Sequence, residues 1–501
     1  MLARQGAVIE RLTSDSRRAA PGAAFFAWPG AAADGRRFIA QAIERGCAAV
    51  LWESAGFAWD GRWQTPNIAV KDLKAQAGFL AHEFYGRPSE SMWVCGVTGT
   101  NGKTSCVNWL AHLLSLKEVR TGVIGTLGCG FPGALEENPN TTPDALELHR
   151  LLSEFRQAGA SAVAMEVSSH GLDQGRANGV AFDCALFTNL THDHLDYHGT
   201  MAAYAEAKAR LFDAPGLEAA VLNLDDPFGL RLAQRLAARG VRTIGYGLAH
   251  ATAARDAVDE FVFAREVRFE GALAHVTLQS SWGAAAATIN QIGPFNVANA
   301  LGVLGCLVAH GVPLQDGAGR LAALPPVPGR LQKIAEQPGR PLVVVDYAHT
   351  PDALDKVTRA LHPVAQSRGG RLVVVFGAGG DRDADKRPLM GAIVSRLAER
   401  VVLTSDNPRS EDPAAIIAAI RRGVSGDCAI EPDRETAIKS AIEAAAPADV
   451  VLIAGKGHEE YQETAGKRLP FSDAKIAAAA LGRRGGGTGE TPSRPRSEDD
   501  R

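Results

Sequence analysis

Nowhere do the 501 residues supply the roughly 20 consecutive apolar residues that a membrane helix needs. Residues 1–12 carry early charges and no apolar signal core, so neither export nor membrane insertion is expected. Cysteine is sparse, odd in number and scattered: Cys47, Cys95, Cys106, Cys129, Cys184, Cys306 and Cys428, with no CxxC pair. That spacing indicates neither a disulfide framework nor a cysteine zinc site, and it suits a reducing cytoplasm. A dominant charge is also missing. The formal balance of -3 gives no electrostatic reason to expect nucleic acid or an anionic membrane as partner. No repeat of short period is found.

The chain is too long for one compact core, and its length suggests about three domains. Short β-rich apolar runs alternate with Ala/Leu-rich helical stretches, the pattern of α/β domains with parallel sheets. Gly86-Arg87-Pro88 and the proline cluster Pro325-Pro326-Val327-Pro328 read as linkers. The expected divisions are 1–88, 89–328 and 329–483. Residues 484–501 hold Gly, Pro, Ser and charge without periodicity, and read as a disordered tail.

Chemistry concentrates in a few places. Gly96-Val97-Thr98-Gly99-Thr100-Asn101-Gly102-Lys103-Thr104 lies between an expected strand and a helix starting near Ser105. Glycines let backbone N–H groups close around phosphate oxygens, and the helix N-terminus adds favourable partial charge. Lys103 would face the β- and γ-phosphates and Thr104 would hold Mg²⁺. The strict phosphate-loop spacing wants glycine at 97, where valine stands, so this is a variant loop. Glu166, at the end of a strand-like run, offers a carboxylate that hard Mg²⁺ prefers.

The stretch His192-Asp193-His194-Leu195-Asp196-Tyr197-His198 admits a zinc reading, ranked second because it leaves the phosphate loop unexplained. After it, helical spacing aligns Met201, Tyr204, Lys208 and Leu211 on one face. An inward ammonium tends to lose its proton, and a neutral amine can take up CO₂ to become a metal-binding carbamate. A lysine that runs its stem along the helix is the other reading, and periodicity leaves the two level.

Towards the C-terminus four motifs each follow an expected strand: Asp346-Tyr347-Ala348-His349, Gly379-Gly380-Asp381-Arg382, Asp406-Asn407-Pro408-Arg409 and Gly455-Lys456-Gly457-His458-Glu459. Open α/β sheets bind ligands at strand carboxyl ends, so these loops should converge. Arg382 stands where a dinucleotide turn has its third glycine, which disfavours a Rossmann cofactor site. Among the motif residues Arg409 offers a planar cation suited to a carboxylate, and Glu459 and Asp406 offer negative charge suited to an ammonium. A structural salt bridge is the plainer reading of Arg409.

The run TGTNGKT, followed in order by MEVSSHGL, NLTHDHLDYHG, DYAHTPD, DNPR and GKGHE, resembles the Mur ligase family from about Leu12 to Ser472. Its diaminopimelate-adding members are the most similar. The resemblance implies three α/β domains: a UDP-sugar-binding N-terminal domain, a P-loop ATPase-like centre and a Rossmann-like C-terminal domain. It implies an ATP-dependent ligase that adds meso-diaminopimelate to UDP-N-acetylmuramoyl-L-alanyl-D-glutamate through an acyl phosphate. Small-molecule substrates and Mg²⁺ are then the partners of a cytoplasmic monomer.

Carried over by position, the resemblance assigns ATP to Gly99, Thr100, Asn101, Gly102, Lys103, Thr104, Asn296, Asn299, Arg330 and Asp346. One Mg²⁺ goes to Thr104 and Glu166, a second to His194 and carbamylated Lys208 (N6-carboxylysine). Lys103, Lys208 and His194 are the implied catalytic groups. Ser14 and Ser16 match a uridine-binding turn, although a plain loop or helix cap also fits. Gly30 to Gly35 aligns with a uracil-contacting loop, but Ala31, Ala32 and Ala33 leave only backbone groups to make contact. Asn140, Thr141, Thr142, Ser168, Gln174 and Arg176 match residues around the muramoyl peptide, though a Thr-Thr turn would look the same. Diaminopimelate falls to Arg382, Asp406, Asn407, Pro408, Arg409, Gly455 and Glu459. The rivals are a lysine-adding ligase, a folylpolyglutamate-type ligase and a P-loop switch that binds ATP without turnover.

Overall fold

The computed structural model describes residues 6–30, 33–248, 254–271, 273–334 and 339–483. The Ala31-Ala32 part of the alanine loop and the tail from 484 onward lie outside the described residues. The chain packs as two units, one reaching Pro325 and one starting at Pro326. They comprise three α/β domains, two of them in the first unit.

The N-terminal domain is a parallel sheet ordered Arg11–Thr13, Ala23–Ala27, Ala49–Glu53 and Asn67–Val70. The two inner strands are buried at every residue, as expected of parallel strands covered on both faces. Leu73, Ala77 and Ala81 of the helix Leu73–Phe84 cover one face together with Leu146. Leu146 comes from a helix of the central domain, Ala145–Gln157. The approach is close: a Cβ added at Gly78 would lie 2.1 Å from the carbonyl oxygen of Asn178. This packing merges the first two domains into one unit.

The central sheet has eleven strands. Its middle runs Cys184–Phe187, Trp93–Thr98, Ala162–Glu166 and Thr121–Gly125, all parallel, so their carboxyl ends share one edge. The N-terminal sheet meets the expectation of parallel strands throughout, whereas this one meets it only away from its edges. The strands Glu260–Glu270, Leu273–Ser280 and Gly283–Ile289 form an antiparallel wing. The last of these is mostly alanine, a helix former by local preference, so its strand state is imposed by its neighbours. The fold also gathers three cysteines that are far apart in sequence. Cys95 pairs in register with Cys184, and Cys306 joins from the helix Pro294–Ala309 with all three sulfurs within 4.8 Å of one another.

The second unit holds a six-stranded sheet in the order Gln332–Ile334, Leu342–Asp346, Val450–Ala454, Leu372–Phe376, Arg400–Leu403 and Ala429–Ile430. The edge strand Gln332–Ile334 is antiparallel and the others are parallel. Adjacent parallel strands place their following loops side by side. Beneath those loops, Arg434 and Asp473 form an ion pair from which water is excluded.

Candidate active site

The phosphate-loop turn begins two residues later than the strict spacing has it. Val97 is a buried strand residue, and the chain leaves the strand at Gly99. Gly99 has φ +148, and a Cβ there would fall 1.9 Å from Thr188 Oγ1. Gly102 has φ +90, and its Cβ would meet Asn299 Oδ1 at 2.5 Å. Both positions therefore need glycine, for backbone and for space. The helix starts at Lys103, not Ser105. Asn101 donates its N–H to Asn189 Oδ1 at 2.9 Å, and the Thr188 hydroxyl donates to Asn101 O at 2.6 Å. These two residues follow the neighbouring strand Cys184–Phe187 and brace the turn. Thr188 precedes the NLTHDH motif and Asn189 opens it, but neither carries charge, so neither stood out as a brace for the turn.

Glu166 is buried at the end of the strand on the other side. It accepts from Thr104 Oγ1 at 3.1 Å, from the Thr126 N–H at 2.8 Å and from Thr126 Oγ1 at 3.2 Å. A carboxylate and a hydroxyl side by side are the oxygen donors Mg²⁺ takes, so Thr104 and Glu166 fit that ion.

Lys208 lies on the helix Met201–Ala209 with 1 % of its surface exposed. A lysine running its stem along the helix would keep its ammonium in water, so that reading does not describe it. Nζ instead donates to Gly99 O at 2.8 Å and stands 4.3 Å from the centre of the Tyr204 ring. Burial, then the nearby Lys103 ammonium, holds its pKa well below the ordinary lysine range; Asp193 opposes them. Tyr204 in turn shares a hydrogen bond of 3.1 Å with Thr100 Oγ1, joining the helix to the turn.

His194 adopts a left-handed backbone at φ 53. Its ring lies 4.8 Å from that of His170 and 6.1 Å from that of Tyr204. Burial lowers its pKa, against the opposite pull of Asp193. The zinc reading of this stretch loses its geometry. Among the described residues, the one set of three or more metal-ligating side chains whose donor atoms converge is the cysteine trio.

Of the residues matched to the sugar-peptide substrate, Thr142, Ser168, Gln174 and Arg176 form one network. Arg176 donates to Thr142 O at 2.9 Å and to Gln174 Oε1 at 2.7 Å. The Thr142 hydroxyl donates to the Glu166 backbone carbonyl at 2.9 Å, which ties this network to the residue whose carboxylate meets Thr104. Ser168 caps a short helix by accepting from the Gly171 N–H. Thr141 shares a 3.0 Å hydrogen bond with Thr126, and Asn140 is exposed. In the N-terminal domain, Asp15 takes the capping role by accepting from the Arg17 N–H. Ser16 is buried and donates to Gln41 Oε1 at 2.6 Å, while Ser14 is half-buried beside it.

The remaining nucleotide-matched residues divide between the units. Asn296 and Asn299 are buried on the helix Pro294–Ala309 of the first. Arg330 and Asp346 belong to the second, where Asp346 accepts from the N–H groups of Leu331 and Ala348 at 2.7 Å each. Burial raises the Asp346 pKa and the Arg330 guanidinium opposes that.

In the second unit Asp406, Asn407, Pro408 and Gly455 are buried, Glu459 and Arg409 half-buried, and Arg382 exposed. Arg409 adopts φ 53 and donates through Nη1 to Gly380 O at 2.6 Å. Among the described residues no carboxylate pairs with its guanidinium, so the salt-bridge reading fails there. Glu459 is already engaged: it accepts from Asn407 Nδ2 at 2.8 Å and from Lys456 Nζ at 3.0 Å. Lys456 was visible in the Gly-Lys-Gly motif, but nothing in the sequence said that it points inward.

A phosphate-binding turn flanked by a buried carboxylate and a buried lysine, on a parallel sheet, defines a nucleotide-binding α/β protein. Three family models match it: "Mur ligase family, catalytic domain" over 8–85, "Mur ligase middle domain" over 97–307, and "Mur ligase, glutamate ligase domain" over 329–457. The chain belongs to the Mur ligase family. A relative from Chromobacterium violaceum, named UDP-N-acetylmuramoyl-L-alanyl-D-glutamate--2,6-diaminopimelate ligase, is 49% identical over 483 residues, 96% of each chain. The protein of that name from Pseudomonas aeruginosa is 50% identical over 476 residues, 95% of each. A solved structure of a ligase with the same name matches at 36% identity and TM-score 0.67 over 95% of both chains. MurF ligase from Thermotoga maritima, in complex with ADP, shares the fold at 19% identity and TM-score 0.65, covering 95% of this chain and 99% of that one.

Proposed function

We propose that this chain joins meso-diaminopimelate to UDP-N-acetylmuramoyl-L-alanyl-D-glutamate at the expense of ATP, in the cytoplasm, as a step of peptidoglycan precursor synthesis. One observation carries the reading: relatives named for this reaction align over 96% and 95% of the chain at 49% and 50% identity. The Arg409 guanidinium, which has no carboxylate partner among the described residues, agrees with it, because it offers a planar fork to the second carboxylate of diaminopimelate.

A carboxylate will not form an amide directly, since oxide is a poor leaving group. In the proposed reaction the substrate carboxylate attacks the γ-phosphate of ATP, giving an acyl phosphate and ADP. The amine of diaminopimelate attacks the acyl carbon, phosphate departs with the bonding pair, and the amine's proton goes to solvent or a base. Lys103 leaves its carbonyl partners in the turn to neutralise phosphate oxygens, and the N–H groups of residues 99–104 cradle them. Mg²⁺ at Thr104 and Glu166 neutralises phosphate charge when bound. Lys208, as the carbamate, and His194 would hold a second Mg²⁺, which would supply further positive charge to the phosphate oxygens. Arg176, Thr142 and Ser168 hold the peptide carboxylate in line, and Ser14 and Ser16 lie at the uridine end.

The test is ADP release by purified protein given ATP, Mg²⁺ and the UDP-muramoyl dipeptide. Release should require diaminopimelate. Turnover that prefers lysine, or nucleotide binding with no acceptor-dependent turnover, rejects the reading.

A further inference from the structure

Lys456 belongs to none of the ligand sets assigned above, yet it is the most enclosed cation near the amino-acid loops, with 0% of its surface exposed. Its Nζ donates to Asn407 Oδ1 at 2.8 Å and to Glu459 Oε2 at 3.0 Å. Asn407 Nδ2 donates to the same Glu459 oxygen at 2.8 Å. Each of the three residues therefore bonds the other two in a closed triangle. The amide of Asn407 cannot flip within it, because Oδ1 accepts from a cation and Nδ2 donates to an anion.

The backbone around Lys456 is shaped for this inward aim. Gly455 has φ +119, and a Cβ there would fall 2.3 Å from Asp406 Oδ2. Gly457 has φ +55, and its Cβ would lie 2.7 Å from the Cβ of Tyr347. Glycines on both sides let the loop turn sharply against two other motif loops and drive the lysine beneath them. The triangle also reaches Arg409 through one residue. The Glu463 N–H donates to Asn407 Oδ1 at 2.9 Å, and Glu463 O accepts the Arg409 N–H at 3.1 Å. That bond helps to hold Arg409 in its left-handed backbone conformation.

We propose that Lys456 is a positioning residue for amino-acid selection: it fixes Asn407 and Glu459, and through Glu463 the backbone of Arg409, in the geometry that receives the far end of diaminopimelate. The proposal rests on the diaminopimelate reading above. A buried ammonium that pairs with a half-buried carboxylate stops that carboxylate from swinging out to water. Without Lys456, Glu459 is free to turn away, and Asn407 Oδ1 keeps only the Glu463 N–H as donor.

The experiment compares full-length Lys456→Met, Glu459→Gln and the double variant with wild type, measuring kcat and KM for all three substrates. Lys456→Met should raise KM for diaminopimelate at least tenfold while KM for ATP and for the UDP-muramoyl dipeptide stay within about twofold. The double variant should be no worse than the more damaged single, because both changes disable one device. If Lys456→Met does not fold, Lys456→Gln, which keeps a donor but no charge, takes its place with the same expectation. Unchanged KM for diaminopimelate, an equal rise in all three KM values, or multiplying losses in the double variant would overturn the proposal. Wild-type protein that releases no ADP with diaminopimelate would instead overturn the parent reading, and this one with it.

Discussion

Lys103 and Lys208 donate to one and the same atom, the carbonyl oxygen of Gly99, at 2.9 and 2.8 Å. Their amine nitrogens are thus at most two hydrogen bonds apart in a site largely closed to water. Two full positive charges so placed repel strongly, and one is relieved by losing a proton. At Lys208 burial acts first and the Lys103 charge adds to it, and together they lower its pKa.

A neutral amine at Lys208 can bind CO₂. Protein supplied with ¹³C-bicarbonate should show a carbamate carbon signal that Lys208→Arg lacks, since arginine keeps its proton. The same variant should lose roughly 100-fold or more in kcat, as removal of a charge-stabilising group does. A wild-type protein without the carbamate signal, or an active Lys208→Arg, would refute the assignment.

Gly102 and Asn299 make a tighter prediction about nucleotide. Alanine at 102 must accept φ +90 and push aside the Asn299 amide, 2.5 Å from its Cβ. Gly102→Ala should cost at least tenfold in ATP affinity by titration calorimetry. Asn299 is itself matched to ATP, so the reference is Asn299→Ala alone: in that background Gly102→Ala should recover part of the cost, because only the backbone strain then remains, about 1 kcal/mol. No recovery would mean that strain alone decides.

Much of this was readable in advance, and the failures have physical causes. The inner strands announce themselves: Leu342–Asp346 and Leu372–Phe376 are short unbroken apolar runs, buried on both faces. The motif loops follow them because parallel sheets put ligands at strand ends. Tyr204 and Lys208 share a helical face that periodicity found. The alanine strand Gly283–Ile289 was hidden because its residues favour helix and only cross-strand pairing overrides them. Asn189, Arg434 and Asp473 were hidden because their partners are 88 and 39 residues away. Spacing cannot show such pairs. The three core thiols escaped for the same reason.

Arg434 tests how the second unit holds its loops in place. It donates to Asp473 at 2.8 and 2.7 Å, to Ser405 O at 3.2 Å and to Ala454 O at 3.0 Å, so one guanidinium links the ends of two strands. Arg434→Met strands a buried carboxylate and should destabilise by about 3–5 kcal/mol. Adding Asp473→Leu should restore part of the loss. The midpoints of urea unfolding check both, and a double variant as weak as the single would show that the backbone contacts matter more than the pair.

His149 links acidity to the packing of the N-terminal domain on the centre. Its Nε2–H donates to Asn178 O at 2.9 Å and its ring lies 5.3 Å from that of His82. Its buried Nδ1 has no hydrogen-bond partner among the described residues. Burial lowers its pKa from 6.5 to about 4. The folded state thus resists a proton that the unfolded chain accepts at pH 6.5. Above pH 6.5 both states are neutral and the group is without effect. As pH falls from 6.5 towards 4 the unfolded chain gains the proton first, so stability drops, by an amount on the order of 3 kcal/mol once both are protonated. His149→Gln keeps an N–H donor and cannot titrate. The thermal midpoint of wild type should fall over this window more steeply than that of His149→Gln, and parallel curves would clear His149 of the effect.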